Sequence, residues 1–325
     1  MAQETMEGSG KLEIRGKGSA AEEAAPPRAA AAAAANMGLA STPPGYLPAQ
    51  RHAHILIGAA ISLLAVTLAV SYGLWLREGC LAFLPFVSDL GLHGAMRPVF
   101  ATGLVGTSLL MMAALPHIVV ARHRLVRFLE LPRRWERANW AVALAGGAVS
   151  LGVGLLGFFP WDRALVPHLL CADIIFGGGV AWAIGSCVLA WRFRRAAEGE
   201  TWHACPRART LQRVMAVACV LDLLLAYACF AAAYLADPKL FGLAELPATL
   251  RLAKDDFGGY CSGRRGWHAL VWINLGALGE WLLVAFMVVS VAAAAADLEA
   301  HCVVQRARAG RDRPFLEGGA AGQLP

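Results

Sequence analysis

The chain has 325 residues, 58% of them hydrophobic and 16% charged, with a net charge of +6 and a mean hydropathy of +0.52. That is too apolar for a water-soluble domain, and little mass is left outside the apolar blocks for a soluble catalytic domain. The positive charge lies in the loops between those blocks and in the two terminal segments, which leaves no folded basic surface for nucleic acid.

In chain order, residues 1–50 come first and differ in kind from the rest. They hold Gly, Ser and Glu, then Pro26-Pro27, an alanine run from Ala29 to Ala35, and the helix breaker Ser41-Thr42-Pro43-Pro44-Gly45. Such a segment buries too little apolar surface to order itself and is expected to be a disordered N-terminal tail. It lacks the short apolar core and cleavage site of a signal peptide, and Glu4, Glu7, Glu13, Glu22 and Glu23 argue against a mitochondrial presequence. The first apolar block is therefore expected to insert as its own signal.

Six apolar blocks follow, at about 54–76, 98–121, 139–159, 166–191, 214–236 and 267–296. Each is near or above the ~20 residues that a helix needs to cross a ~30 Å hydrocarbon core. The fold class expected is all-α: a polytopic six-transmembrane-helix bundle over residues 51–300, followed by a C-terminal tail at 301–325. Pro116, late in the second block, is expected to kink its helix.

The loops give an orientation. The N-terminal segment, the second loop, the fourth loop and the C-terminal segment carry 5, 6, 6 and 4 Lys/Arg, whereas the first, third and fifth loops carry 2, 1 and 5. The positive-inside rule then places both termini in the cytosol. In this topology Cys80 and Cys261 share the outer face, where an oxidising compartment favours a disulfide between them; two free thiols are the alternative. Cys171, Cys187, Cys219 and Cys229 fall inside spans as small packing residues. No Cys-x-x-Cys pair occurs, and no metal or other cofactor is expected.

Small residues recur every four positions at Gly146, Ser150 and Gly154, and again at Gly177, Ala181 and Gly185. They let helices approach closely within one bundle, or between two copies in a homo-oligomer. Three acids, Asp173, Asp222 and Glu280, lie inside spans four, five and six, with no Lys or Arg deep in any span to pair with them. They are read as lining one interior zone, either as an ion or headgroup site or as hydrogen-bonding groups between helices. His168 is a partner for Asp173 or for a lipid headgroup, and Asn274, two turns before Glu280, bonds across helices in the same reading. Arg122, Arg124, Arg127, Arg133, Arg134 and Arg137, with Arg192, Arg194 and Arg195, are read as lipid-facing. Such clusters attract anionic lipids by ~1 kcal/mol per charge, or serve only as topology signals. No Gly-x-Ser-x-Gly, His-Glu-x-x-His or phosphate-binding glycine loop appears, and the chain is read as non-enzymatic.

The first loop reads Leu84-Pro85-Phe86-Val87-Ser88-Asp89-Leu90-Gly91, then Arg97-Pro98-Val99-Phe100 entering the second span. Asp-Leu-Gly is a turn signal and Pro98 suits a first helical turn. The fourth span opens with Pro167-His168 and continues through Ala172 to Phe176; the sixth holds Glu280-Trp281 ahead of Asp297. In these motifs, in this order on six spans, the chain resembles the DRAM/Frag/Sfk family, which includes the CWH-type N-terminal domain. The resemblance implies a membrane organiser or adaptor, in autophagy and lysosomal regulation or in control of membrane lipids and phosphoinositides. It also implies a GPI-anchor lipid-remodelling alternative, while the buried acids keep an ion channel or transporter alternative open. Expected partners are membrane lipids, anionic phospholipids among them, and a protein at the cytosolic loops. The organelle stays open among lysosome, plasma membrane, Golgi and endoplasmic reticulum.

Overall fold

In the computed structural model, residues 46–81, 85–196, 206–237, 246–262 and 267–311 are described. All regular structure among them is helical. The long helices are α1 (Tyr46–Arg77), α2 (Met96–Phe128), α3 (Arg133–Leu156), α4 (Leu165–Ala196) and α5 (Pro206–Ala236). Two short helices, α6 (Leu246–Asp255) and α7 (Phe257–Cys261), precede the last, α8 (Trp267–Arg311). A 3-10 turn, Val87–Gly91, lies between α1 and α2. The N-terminal tail expected at residues 1–50 lies outside the described residues except for its last five, which are already helical. At the other end, α8 runs on through Arg311, so its helix extends past the expected start of the tail at residue 301.

Six helices contain stretches long and apolar enough to cross a membrane: His52–Arg77, Met96–Phe128, Arg133–Leu156, Leu165–Ala196, Arg207–Ala236 and Val271–Asp297. Between 28% and 39% of each apolar window is buried inside the protein, so most of each helix surface needs an apolar solvent. Leu144 and Leu235, the outermost of these side chains, are 73% and 75% exposed. A helix satisfies its own backbone hydrogen bonds, which is what such a solvent demands. The chain is an integral, multi-pass membrane protein.

The helices pack as neighbours in sequence and then close on themselves. α1 lies along α2, α2 along α3, and α3 along α4; α8 returns to lie along α5 and also meets α1, α2 and α4. Small residues make the close approaches. A Cβ on Gly103 of α2 would collide with the Thr67 side chain of α1, and one on Gly185 of α4 with Val142 of α3. The stripe on α3 is spent inside the bundle: Gly146 faces Trp182, Gly154 faces Ser108, and the Ser108 hydroxyl donates to the Ser150 carbonyl at 2.6 Å. On α4, Gly177 meets nothing and Ala181 is exposed, so only Gly185 of that stripe is used. Pro116 stays inside the continuous helix α2. The turn after α2 closes with Glu130 at φ 49°, the left-handed conformation that usually falls to glycine, and Leu131 N–H returns to the Val126 carbonyl at 3.0 Å.

Gly103→Leu is expected to force α1 from α2. Overpacking of this kind costs about 1–3 kcal/mol. Melting of the purified protein, followed by size-exclusion chromatography, should show a lower midpoint, while Gly177→Leu on the open face leaves it unchanged.

Candidate functional site

The first-loop motif is held at every polar group that matters. Phe86 is extended, at φ −58° and ψ 147°, and the 3-10 turn starts after it. Two backbone groups on either side of Phe86 then lack helical partners, and two consecutive residues of α8 supply them. Val87 N–H donates to Glu280 Oε2 at 2.8 Å, and Trp281 Nε1 donates to the Pro85 carbonyl at 2.8 Å. Phe86 itself stacks on Phe230 of α5 at 5.6 Å.

Asp89 is the second anchor and is 4% exposed. Its Oδ2 accepts from the Phe86 backbone N–H at 3.2 Å, which ties the turn to its own start. Its Oδ1 accepts from Trp161 Nε1 at 3.0 Å and from the Tyr260 hydroxyl at 2.9 Å. One carboxyl thus joins the first loop to the α3–α4 connection and to α7. Gly91 has no room for a side chain, because a Cβ there would stand 2.7 Å from the Phe100 ring. Ser88 is half-buried in the same turn, and Pro98 is exposed in the first turn of α2.

A covalent tie reinforces this end. Cys80 and Cys261 form a disulfide with their Cα atoms 5.0 Å apart, across 181 residues of chain. Leu81 N–H donates to the Cys261 carbonyl at 3.2 Å, and Trp75 Nε1 to the Leu81 carbonyl at 2.8 Å. Phe257 of α7 stacks on His93 at 4.6 Å and takes Trp75 edge-on at 5.7 Å.

Under the motif lies an apolar cavity of about 140 Å³. Val87 and Glu280 line it with Ala60 and Leu64 of α1, Leu104 and Thr107 of α2, Val153 of α3, Ile175 and Phe176 of α4, and Val284 and Met287 of α8. Its polar contributions come from Glu280 and three hydroxyl residues. Ser108 and Ser150 are spent on backbone carbonyls, whereas Thr107 Oγ1 is buried with no hydrogen-bond partner. A smaller space of about 60 Å³ shares the walls Met111, Val149, Ser150, Met287 and Val291 and reaches Trp182.

The three intramembrane acids do not share one zone. Asp173 is exposed on α4 and accepts from the Tyr227 hydroxyl at 3.1 Å. Asp222 is buried on α5 against Gly279, with Oδ2 unpartnered. Glu280 faces the first loop. The reading of Asp173 as an interior group is thus corrected: hydropathy places a residue along a helix, but the packing of α4 against α3 turns Asp173 outward. His168 is also corrected. It is 6% exposed, and its Nδ1 stands 2.7 Å from the Phe159 carbonyl, so it is tied to the α3–α4 connection rather than to Asp173, which bonds Tyr227. Asn274 is half-buried on α8.

At the opposite end the arginines divide. Arg122 is 6% exposed, donates from Nη2 to Ser186 at 3.0 Å and lies 5.8 Å from the Trp182 ring. Its reading as lipid-facing is corrected, because α2 continues to Phe128 and turns this residue toward α4. Arg124, Arg133, Arg134, Arg137 and Arg195 are exposed. Arg127 is exposed and pairs with Glu136 at 3.5 Å. Arg192 and Arg194 are half-buried, and Arg134 and Arg192 both approach the Trp135 ring, at 5.9 and 5.7 Å. The sequence did not reveal Asp89's partners Trp161 and Tyr260, nor the Arg209–Asp297 pair at 2.9 Å. Among the described residues no group of three or more His, Cys, Asp or Glu is placed to hold a metal.

Asp89→Asn replaces an acceptor of three hydrogen bonds with an amide that cannot accept on both arms. Hydrogen bonds to a charged group are worth about 1.5–3 kcal/mol each, so the variant should melt well below wild type. In the unreduced protein, alkylation and peptide mass mapping should leave Cys80 and Cys261 unlabelled; labelling of both would remove the covalent tie from the account.

The match to known families covers the same stretch that builds this site. No curated protein and no solved structure matches the chain. The family described as the Frag1/DRAM/Sfk1/Cwh43P N-terminal domain matches residues 52–301, from the start of the first span to just past the last. The chain belongs to that family.

Proposed function

We infer that this protein is a non-enzymatic, lipid-binding membrane organiser, which holds a hydrocarbon chain inside its bundle and acts in the control of membrane lipids. The observation that carries this reading is the apolar cavity of about 140 Å³ beneath the first-loop motif. An engineered apolar cavity of about 150 Å³ stays dry and takes benzene or xenon, so a space of this size suits a few methylene groups. The family's motif residues supply its roof: Val87 lines it, and Glu280, which grips Val87, lines it too. Glu280 gives the polar end of such a site and Thr107 Oγ1 offers an unused hydroxyl within it.

The ion-conducting alternative has less support. An apolar interior strips an ion of its water, and the acids that would replace that water face three different surroundings. For participation in GPI-anchor lipid remodelling, and for a role in autophagy, the support is membership of the family alone.

Val153→Phe puts a ring into the cavity wall. Lipid extracted from the purified wild type should contain a retained single- or double-chain species at near-stoichiometric amount, and the variant should lose most of it while keeping its elution profile. Equal lipid content in both would sink the cavity reading.

A further inference from the structure

At the arginine-rich end, four helices bring together more positive charge than the described acids balance. Arg122 of α2 is 6% exposed, and Asp297 of α8 is 4% exposed. Asp297 pairs with Arg209 of α5, whose Nε stands 2.9 Å from Asp297 Oδ1 and whose side chain is 11% exposed. Arg209 Nη2 is buried and has no hydrogen-bond partner. Two small clefts meet here and share Ala190 and Gln212. One holds Arg122 and Asp297; the other holds Arg194, Arg209 and Arg213. The described residues lining the two clefts thus include four guanidiniums and one carboxylate.

That balance is unfavourable by itself. Arg122 and Arg209 are the two largely taken out of water; such a guanidinium needs an anion or a full set of acceptors, and Asp297 alone does not supply both, while Arg194 and Arg213 add charge nearer the surface. Arg194 lies in the last turn of α4, and its Nε is also buried without a partner. Arg209 lies in the first turns of α5, a helix with no acid in its first turn. The free N–H groups and the dipole of a helix start add further positive potential. Each cleft is water-sized, about 10 Å³, so an anion seats across their mouth rather than within them. Arg213 is exposed and Arg194 half-buried at that mouth. Planar guanidiniums bind phosphate oxygens in pairs, and an excess of this size suits a dianion better than a monoanion.

We propose that this end of the bundle is a binding site for the phosphate monoester of a lipid headgroup, held by Arg194, Arg209 and Arg213, with Arg122 behind them. The site rests on the reading of the chain as a lipid-binding membrane protein, but it uses none of the cavity residues. Val153→Phe tests the cavity and leaves this site intact, so each can fail alone. It differs from a general attraction of basic loops to acidic membranes in one respect: it distinguishes a monoester from a diester of equal chain length.

The test is native mass spectrometry of the detergent-purified full chain with equimolar dioleoyl phosphatidic acid, dioleoyl phosphatidylserine and dioleoyl phosphatidylcholine. Wild type should retain phosphatidic acid at least 5-fold over phosphatidylserine. Arg194→Gln with Arg213→Gln should abolish that preference, and Arg251→Gln, an exposed arginine near the disulfide, should preserve it. The two sites of change lie at a cleft mouth, so a folded double variant is expected; single Arg213→Gln, with a partial loss, serves if it is not. Equal retention of phosphatidic acid and phosphatidylserine, or an undiminished preference in the folded double variant, overturns the proposal. Inorganic phosphate that stabilises the protein in phosphatidylcholine nanodiscs, where phosphatidic acid does not, overturns the lipid source.

Discussion

The structure depends on one constraint: an irregular stretch of backbone roofs an apolar cavity, and its polar groups need partners. Unpaired, a buried amide group costs roughly 1–3 kcal/mol on the scale of protein mutations. The chain meets that cost with two consecutive side chains from its last helix, Glu280 for the Val87 N–H and Trp281 for the Pro85 carbonyl. The pairing is between residues 193 and 196 positions apart, so the last span must be in place before the first loop is satisfied. The remaining motif residues follow from this. Asp89 pins the turn, Gly91 gives way to Phe100, and Phe86, whose carbonyl accepts the first backbone bond of the turn, stacks its ring on α5.

How much of this was legible depends on which property carried the signal. Hydropathy carries length, and the six spans were readable to within a few residues at most ends. It does not carry the face. Asp173 and Glu280 look alike as acids in apolar runs, yet one is exposed beside Tyr227 and the other turns inward to the first loop. Arg122 looks like the first residue beyond a span. α2 in fact runs to Phe128, and the position falls on the side that meets Ser186. The family motifs were legible as strings, and their mutual contact was not. Nothing local in Pro85–Gly91 announces that Glu280-Trp281 is its partner, because that fact belongs to the packing of α8. Asp89's donors show the same limit: Trp161 sits in the α3–α4 connection and Tyr260 in α7, with no shared pattern.

The two ends of the bundle are built on different physics. At the motif end, a disulfide, stacked aromatic rings and directed hydrogen bonds converge on α7 and the first loop. Loop closure over 181 residues removes much of the freedom of the unfolded chain, so this end is strongly specified. At the arginine end, an apolar cluster that includes Leu125, Val126, Leu189 and Phe193 is joined by polar and charged contacts: Arg209 with Asp297, Arg122 with Ser186, and arginines laid near Trp135 and Trp191. Charge pairs reorganise more readily than a disulfide-tied turn, and their strength depends on the ions and lipids nearby.

That contrast bears on what the interior can do. A conduction path needs polar groups spaced along its length, so that an ion leaving water always has a replacement shell. Here the central space runs from Glu280 at one end toward Trp182 through side chains such as Val149, Met287 and Val291. The hydroxyls of Ser108 and Ser150 along it are already committed to helix carbonyls. What remains is an apolar slot with a carboxyl at its roof and two unused hydroxyls, Thr107 and Ser290, in its walls. Such a slot favours a hydrocarbon chain over an ion, because the chain gains dispersion contacts that water cannot supply while an ion loses hydration with nothing in return.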